Sequence, residues 1–172
     1  IFYIKQRKIE FKNTFIDIIN DVDFNTERTK WQLKFAFVTT SAIMIGEFLH
    51  IPRTMWIGIA CMSVFHPDKS QLQIRYKQRM LYMVLGCLMY MSIYFLIPQQ
   101  FRGLIGLIGG VMIGFSGTYK WQTVFNAFGA LSAATPILGF GGAIIFRILN
   151  NVFGALYSKG FDYIINFIDN KE

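Results

Sequence analysis

The chain has 172 residues, of which 53% are apolar, 17% aromatic and 16% charged, and its formal net charge is +7. Soluble globular domains usually carry about 25% charged residues. The composition excludes disordered, collagen-like and disulfide-stapled secreted chains, and it argues against nucleic-acid binding. Two stretches, Met80–Ile97 and Trp121–Phe146, contain no charged residue and are long enough to span a bilayer. The sequence therefore predicts an all-α integral membrane protein whose first partner is the lipid bilayer.

Residues 1–32 are polar, of mixed charge, and carry apolar residues at helical spacing. This pattern predicts a cytoplasmic amphipathic helix or linker. Its apolar stripe packs against the same protein in one interpretation and lies on anionic lipid in the other. The first residue is Ile1 and no signal-peptide pattern follows, so we expect a longer parent chain. The apolar stripe consists of Ile4, Phe11, Phe15, Ile18 and Val22.

From residue 33 onward the pattern is typical of membrane helices, and it predicts a transmembrane domain over 33–167 with a short tail at 168–172. The second span is short because Pro67 and its neighbours end it. Pro136 and the glycines after it favour a turn between the fifth and sixth spans, although one long helix is the alternative. The six predicted spans are 33–49, 55–66, 80–97, 103–118, 122–138 and 143–165.

The positive charges test this topology, because Lys and Arg collect in short cytoplasmic loops. Of the seventeen Lys and Arg residues, the six spans leave fourteen on one side and only Arg53 and Arg102 on the other, with Arg147 inside the sixth span. Five spans would move Lys159 and Lys171 to the poorer side. The distribution favours six spans with both termini in the cytoplasm.

Two segments repeat a pattern 68 residues apart. Arg79 is followed by Leu two, Val five, Gly seven and Leu nine positions later, and Arg147 is followed by the same residues at the same spacings. Trp56 and Trp121 precede them at an offset of 65. Since each copy holds three spans, the second would be inverted relative to the first, as in many secondary transporters. A chance match in Leu-rich and Gly-rich sequence is the alternative.

These motifs resemble the fusaric acid resistance protein-like family, also called aromatic acid exporters, of bacterial inner membranes. The likeness covers residues 24 to about 160. It rests on a Phe-Asn-Thr-Glu-Arg stretch, a Pro-x-x-x-Trp step, the Pro67 loop, and the Arg-x-x-x-Arg pair before a glycine with its echo in the sixth span. The residues that carry it are Phe24–Arg28, Pro52–Trp56, Pro67, Arg75, Arg79, Gly86, Arg147 and Gly154.

The resemblance implies export of small aromatic or related organic anions from a bacterial plasma membrane. It also implies that the chain is the C-terminal six-span half of a longer protein, with the other half or a second copy as partner. A more distant likeness to plant malate channels implies an anion pathway. Asn150 and Asn151 depart from the family pattern, so substrate preference is not carried over.

Arg147 is the main candidate for chemistry, because a cation inside an apolar helix costs about 3 kcal/mol unless it meets a partner, water or substrate. We expect its guanidinium to bind an organic carboxylate, with Asn150 and Asn151 lining the path. The alternatives are an arginine that extends to the membrane surface or pairs with Glu47.

Glu47 is the only acid within the first five predicted spans. Desolvation raises the pKa of a buried carboxyl group, so Glu47 is a candidate proton carrier for antiport. Its alternative role is that of an interfacial residue or a partner of Arg53. Arg75 and Arg79 lie four residues apart and predict a cationic patch at the cytoplasmic mouth, although positive-inside bias alone explains cations there.

Gly86, Gly154, Pro136 and Pro67 are predicted to act structurally, by close packing or by ending helices. The short second span and the proline-containing fifth occupy matching places in the two repeats, which points to a pathway between them. No metal site, cofactor loop or catalytic constellation is visible, so we expect neither an enzyme nor a cofactor. The sequence favours a proton-coupled exporter of small organic anions. A membrane assembly subunit and a gated anion channel are the alternatives.

Overall fold

The computed structural model describes residues 26–169, with side chains described as far as residue 165. The predicted amphipathic helix lies almost wholly outside these residues, as does the end of the predicted tail. Packing contacts divide the chain between Lys34 and Phe35. Of the first unit only the beginning of one helix is described, and the packing contacts that follow lie within the second unit.

The described residues form five α-helices and no β-strand. The all-α prediction is therefore confirmed. One short 3-10 helix, Gln99–Phe101, precedes the fourth α-helix. The five are α1 (Glu27–Phe48), α2 (Met55–Val64), α3 (Lys69–Leu96), α4 (Leu104–Phe115) and α5 (Tyr119–Asp169).

Helix α5 is interrupted at Gly139, whose φ of 71° and ψ of 164° are not helical. Glycine tolerates this positive φ because it has no Cβ. Pro136 lies inside the helix, three residues before the break, so the interruption falls on the glycine and not on the proline. We call the two segments α5a (119–138) and α5b (140–169). With this break, each of the six predicted spans coincides with a helical segment.

Local sequence explains the other boundaries. His50 and Arg53 have positive φ angles in the turn after α1. Helix α2 ends before an extended Phe65, two residues ahead of Pro67, which disfavours helical geometry in the residue before it. Asp68 then caps α3 by accepting a hydrogen bond from the backbone N–H of Ser70 at 2.8 Å.

Side-chain contacts show how the segments run. Helix α3 runs in the same direction as α5a, because Arg75 contacts Tyr119 near their first turns and Tyr90 contacts Thr135 near their ends. It runs opposite to α5b, because Tyr76 contacts Lys159 whereas Tyr90, later in α3, contacts Phe140 at the start of α5b.

Helices α1 and α2 are antiparallel, since the Cys61 thiol lies 3.8 Å from the Val38 carbonyl while Gly46 lies against Thr54. Helices α4 and α5a are antiparallel as well: Gly106 lies against Ser132 and Gly109 against Phe128.

The unit thus has two ends, which we name after their arginines. The Arg75 end holds the residues around 67–79, 117–123 and 157–161. The Arg102 end holds those around 46–56, 90–105 and 132–142. Successive helical segments connect one end to the other in alternating directions.

Two helices are long and apolar enough to cross a membrane, Lys69–Leu96 and Tyr119–Ile165. Only 28% and 22% of their most apolar windows are buried, whereas the core helix of a soluble protein is mostly buried. Their outward faces carry many large exposed apolar side chains, among them Leu81, Leu88 and Ile145. Exposed apolar surface of this extent is typical of a chain that contacts lipid or other protein.

Candidate anion site at the crossing of two buried arginines

Two arginines are almost completely buried, Arg79 with 3% of its surface exposed and Arg147 with 1%. Arg79 lies in the third turn of α3, and Arg147 lies in the second turn of α5b. They occupy the same position in the two repeated segments. Burying two guanidinium groups in one small unit is costly, so each needs compensation from its surroundings.

Asn151 connects the two arginines. Its side-chain carbonyl oxygen accepts hydrogen bonds from Arg79 Nε at 3.0 Å and from Arg79 Nη2 at 2.7 Å. Its amide nitrogen donates to the backbone carbonyl of Arg147 at 2.7 Å, one turn away on the same helix. Both polar atoms of the Asn151 amide therefore help to hold Arg79 next to the Arg147 turn.

Arg147 is compensated much less well. Its guanidinium carbon lies 5.0 Å from the centre of the Trp56 ring, which supplies a cation–π contact. Its Nε and Nη1 atoms are buried and have no hydrogen-bond partner in the described part of the chain. No carboxylate among the described residues forms an ion pair with it. Arg147 thus presents two buried N–H donor atoms that no described residue accepts, and Trp56 compensates its charge only in part.

Asn150 has a different role from its neighbour. Its amide nitrogen donates to the backbone carbonyls of Pro52 at 2.8 Å and Arg53 at 3.0 Å. These bonds attach α5b to the turn between α1 and α2. The prediction placed Asn150 on an anion path, whereas the structure gives it a partner in that turn.

Arg75 and Arg79 do not form one open patch. The Arg75 guanidinium lies 5.5 Å above the ring of Tyr119 and is only half-buried, whereas Arg79 is buried against Asn151. Arg79 also lines a cavity of about 250 Å³ at the Arg75 end. The cavity has several polar walls, which are Ser63, Tyr119, Gln122, Thr123 and Asn126.

Glu47 lies at the Arg102 end, exposed, and accepts a hydrogen bond from the Thr54 hydroxyl. Glu47 forms an ion pair with neither Arg53 nor Arg147, the two arginines that the sequence suggested. Arg53 instead reaches the backbone carbonyl of Ala133 at 3.5 Å. Glu47 is not buried within the described unit, whereas the proton-carrier hypothesis assumed a buried carboxyl group. No observation tests proton transfer by Glu47, so this role stays a prediction.

The repeated glycines make equivalent contacts. A Cβ on Gly86 would lie 2.7 Å from the backbone oxygen of Val124 and 3.0 Å from the Cβ of Ala127. A Cβ on Gly154 would clash with the backbone oxygen of Ile57 and lie 2.9 Å from the Cβ of Ala60. The contacted residues match at an offset of 67, from 57 to 124 and from 60 to 127, and the glycines match at 68.

Helix α3 therefore packs on α5a as α5b packs on α2, which is the exchange expected of two repeats related by a pseudo-twofold axis. At an offset of 67, Trp56 corresponds to Thr123 and not to Trp121. Trp56 is buried beside Arg147, and Thr123 is buried near Arg79, whereas Trp121 is 47% exposed. Trp56 and Trp121 therefore do not occupy equivalent positions in the two repeats, contrary to the prediction from sequence.

The comparison with protein families agrees with this arrangement. The family described as fusaric acid resistance protein-like matches residues 41–158, more than half of the chain. The chain belongs to this family. The matched region includes both arginines, both glycines and Asn151. No curated protein and no solved structure matches the chain.

Membership in the fusaric acid resistance protein-like family, together with the two long apolar helices, identifies a membrane protein with a transport-related function. Sequence reasoning found Arg147 and Arg79 through the repeat. It missed the bond between Arg79 and Asn151, because the two residues are 72 positions apart and no local pattern links them.

Proposed function

We propose that the protein exports small organic anions, aromatic carboxylates among them, across a bacterial plasma membrane, and that Arg147 binds the anion on its path. The observation that carries the proposal is the buried Arg147 guanidinium with two unpartnered nitrogens. A carboxylate accepts charge-assisted hydrogen bonds from a guanidinium, which compensates its charge and at least one of these donors.

The second buried arginine supports the same role. The positive charge of Arg79 acts on Arg147 and is not neutralised by an acid in the described residues. Two like charges in a low-dielectric setting repel each other, and an anion near them relieves that repulsion. The polar cavity beside Arg79 gives such an anion an approach from the Arg75 end.

The distribution of cations supports an orientation with the Arg75 end in the cytoplasm and six crossings. Arg75, Lys120 and Lys159 each lie over a tyrosine ring there, at 5.5, 5.8 and 4.7 Å. Tyrosines and cations at one level are typical of a membrane interface. Within residues 26–169, the opposite end carries only Arg53 and Arg102 as cations outside the buried site.

Uptake of radiolabelled 4-hydroxybenzoate into inverted membrane vesicles, with and without a pH gradient, tests the proposal. We expect gradient-driven uptake in the wild type and a loss of at least tenfold in Arg147→Gln, with Arg147→Lys between them. Lys77→Gln is the control, because it removes an exposed cation from α3. Equal uptake by Arg147→Gln and wild type, at equal protein level in the membrane, would contradict the role of Arg147.

Proton coupling is tested in the same vesicles. Glu47→Gln should abolish the effect of the pH gradient if Glu47 carries the proton. Uptake that still follows the gradient in Glu47→Gln would assign coupling to another group. Uptake without any response to the gradient in the wild type would favour an anion channel.

A further inference from the structure

A polar cavity of about 210 Å³ lies at the Arg102 end, at the opposite end of the seam between α3 and α5a from the Arg79 cavity. Its walls come from the end of α3, the turn that contains the 3-10 helix, and the end of α5a. Along the seam, the apolar residues Met83, Ala127 and Leu131 pack between the two cavities. The Arg102 cavity is therefore distinct from the buried arginine site.

An aromatic stack fixes the position of the Arg102 guanidinium at the cavity wall. Its carbon lies 4.2 Å from the centre of the Tyr94 ring, and Tyr94 stacks in turn on Phe140, with ring centres 4.5 Å apart. A cation–π contact of this kind engages the electrons of the ring. It leaves the N–H donors at the edge of the guanidinium for an acceptor.

Two polar atoms of the cavity walls are buried and have no hydrogen-bond partner within the described residues, Arg102 Nε and the Ser132 hydroxyl oxygen. Arg102 also forms no ion pair with a carboxylate in the same part of the chain. A Cβ on Gly106 would lie 3.2 Å from the Ser132 hydroxyl oxygen, so this hydroxyl lies one helical turn from Arg102 along the chain of α4. Buried donors without acceptors are costly, and an acceptor from outside the chain would compensate them.

The start of α4 adds positive potential to the same wall. This helix has twelve residues, and its N-cap, Gly103, has no side chain to accept hydrogen bonds from the first turn. Gly103 lines the cavity, and an added Cβ there would meet nothing within 4 Å. The first N–H groups of a helix lack partners within the helix, and the helix dipole favours an anion beside them.

These donors suit a phosphate group. They come from separate segments, with Arg102 before α4, Ser132 on α5a and the amide of Gln99 on the 3-10 helix. The oxygens of a phosphate are arranged tetrahedrally and can accept from several directions, whereas those of a carboxylate lie in one plane. No Asp or Glu is among the described residues that line the cavity. Its volume is several times the roughly 30 Å³ of one water molecule, which leaves room for a phosphate.

We propose that the Arg102 cavity binds a phosphate group, which comes either from a phospholipid headgroup or from free phosphate. Arg102 donates from the edge of its guanidinium, Ser132 donates from its hydroxyl, and the first turn of α4 faces the negative charge. The proposal does not depend on the proposed function, because neither transport nor Arg147 takes part in it.

Equilibrium binding to the purified, delipidated protein in detergent tests the site with two probes, radiolabelled inorganic phosphate and radiolabelled dihexanoylphosphatidylglycerol, a soluble phospholipid. The measurements are made in an Arg147→Gln background, so that the buried arginine site does not contribute. We expect at least one probe to bind, and Arg102→Gln to weaken its binding at least tenfold. Arg102→Lys should lose less, and Ser132→Ala should lose severalfold. The probe that binds more tightly identifies the source of the phosphate.

Arg53→Gln is the matched control, because it removes an exposed arginine of the same end that does not line the cavity. It should bind both probes as the background does. Acetate at equal ionic strength should displace either probe less than unlabelled phosphate does, because acetate is planar.

Equal displacement by acetate and phosphate, or equal losses in Arg53→Gln and Arg102→Gln, would reduce the site to surface charge and overturn the proposal. Binding of neither probe, or binding that does not depend on Arg102, would overturn it as well. Melting temperatures of the variants show whether each one is folded.

This proposal and the proposed function fail separately. Phosphate binding that ignores Arg102, together with transport that depends on Arg147, would overturn the phosphate site and leave the proposed function. Phosphate binding that depends on Arg102, in a protein whose transport ignores Arg147, would overturn the role of Arg147 and leave the phosphate site.

Discussion

At the scale of single residues, the side-chain amide of Asn151 holds Arg79 next to the Arg147 turn through its hydrogen bonds. Its side-chain oxygen accepts hydrogen bonds from Arg79 Nε at 3.0 Å and Nη2 at 2.7 Å, and Arg79 is only 3% exposed. Removing the acceptor takes two hydrogen bonds from a buried charged donor, and hydrogen bonds to charged groups contribute about 1–3 kcal/mol. The buried position of Arg79 therefore depends on the amide of Asn151.

We expect Asn151→Leu to lower the free energy of unfolding by about 1–3 kcal/mol, measured by denaturant titration of the detergent-solubilised protein. Asn151→Asp retains an acceptor and should lose less. Leu156→Ala, an exposed position on the same helix, is the control. A loss no larger in Asn151→Leu than in Leu156→Ala would show that Arg79 finds compensation elsewhere.

Asp68 links local sequence to the pH dependence of stability. Hydrogen bonds from the backbone and hydroxyl of Ser70 lower the pKa of its carboxyl group below the usual 3.8. A carboxyl whose pKa is lower in the folded state stabilises that state above its unfolded pKa. The stabilisation is lost as the pH falls through the folded pKa, so it is present at pH 7 and fades below about pH 4.

Asp68→Ala should therefore lower the melting temperature at pH 7, and its difference from wild type should shrink toward pH 3. Asn is as good a helix cap as Asp, so Asp68→Asn should melt near the wild type at pH 7. A thermal melt series from pH 3 to pH 7 measures this. If the difference in melting temperature between Asp68→Ala and wild type stays constant from pH 3 to pH 7, the helix cap stabilises the protein independently of the carboxylate charge.

At the scale of helices, the close approaches at Gly86 and Gly154 decide how the two repeats join. Each glycine lies under a backbone carbonyl of the partner helix, and a methyl group at either site would overlap it. Overpacking of a tight interface typically costs about 1–3 kcal/mol. The contacted carbonyl belongs to backbone and cannot rotate away as a flexible side chain would.

Gly86→Ala and Gly154→Ala should each lower stability by about 1–3 kcal/mol. Gly160 on α5b and Gly110 on α4 are matched controls, because an added Cβ there meets nothing within 4 Å. Thermal stability of the four variants in one detergent measures the contrast. Losses as large in Gly160→Ala and Gly110→Ala would assign the effect to glycine in general and not to the helix contacts.

The helices were largely predictable, because long charge-free stretches with proline and glycine between them define where segments begin and end. The turn in α5 was predicted at Pro136 and the glycines after it, and the break falls on one of these glycines, Gly139, because a positive φ favours glycine whereas the helix tolerates Pro136. The predicted correspondence of Trp56 with Trp121 was wrong because it rested on residue identity. The glycine contacts relate the two repeats at an offset of 67, so Trp56 corresponds to Thr123. The sequence did not predict the polar cavity beside Arg102, because its walls come from three separate segments.

At the scale of the whole molecule, the two repeats explain why both arginines are buried. Arg79 and Arg147 occupy matching positions on α3 and α5b, and these helices cross antiparallel at Asn151. Each helix is then held by a glycine contact to the other repeat. Polar cavities also lie at the two ends of the α3–α5a seam.

This arrangement requires the Arg75 and Arg102 ends to lie on opposite sides of the membrane, which cysteine labelling tests. Cys61 and Cys87 are buried and are first replaced by alanine. Single cysteines are then introduced at exposed positions, at Lys69 and Gly117 on the Arg75 end and at Gln100 on the Arg102 end.

A membrane-impermeant maleimide should label Gln100→Cys in intact cells, and it should label Lys69→Cys and Gly117→Cys only in inverted vesicles. The reason is the cation bias, which favours the cytoplasmic side for the end that carries Lys69, Lys77 and Lys120. Labelling of Lys69→Cys and Gln100→Cys from one side would mean that α3 does not cross the membrane. Labelling of Gln100→Cys and Gly117→Cys from one side would mean the same of α4, whose twelve residues are short for a bilayer. A fully reversed pattern would preserve the alternating helices and overturn the cytoplasmic assignment.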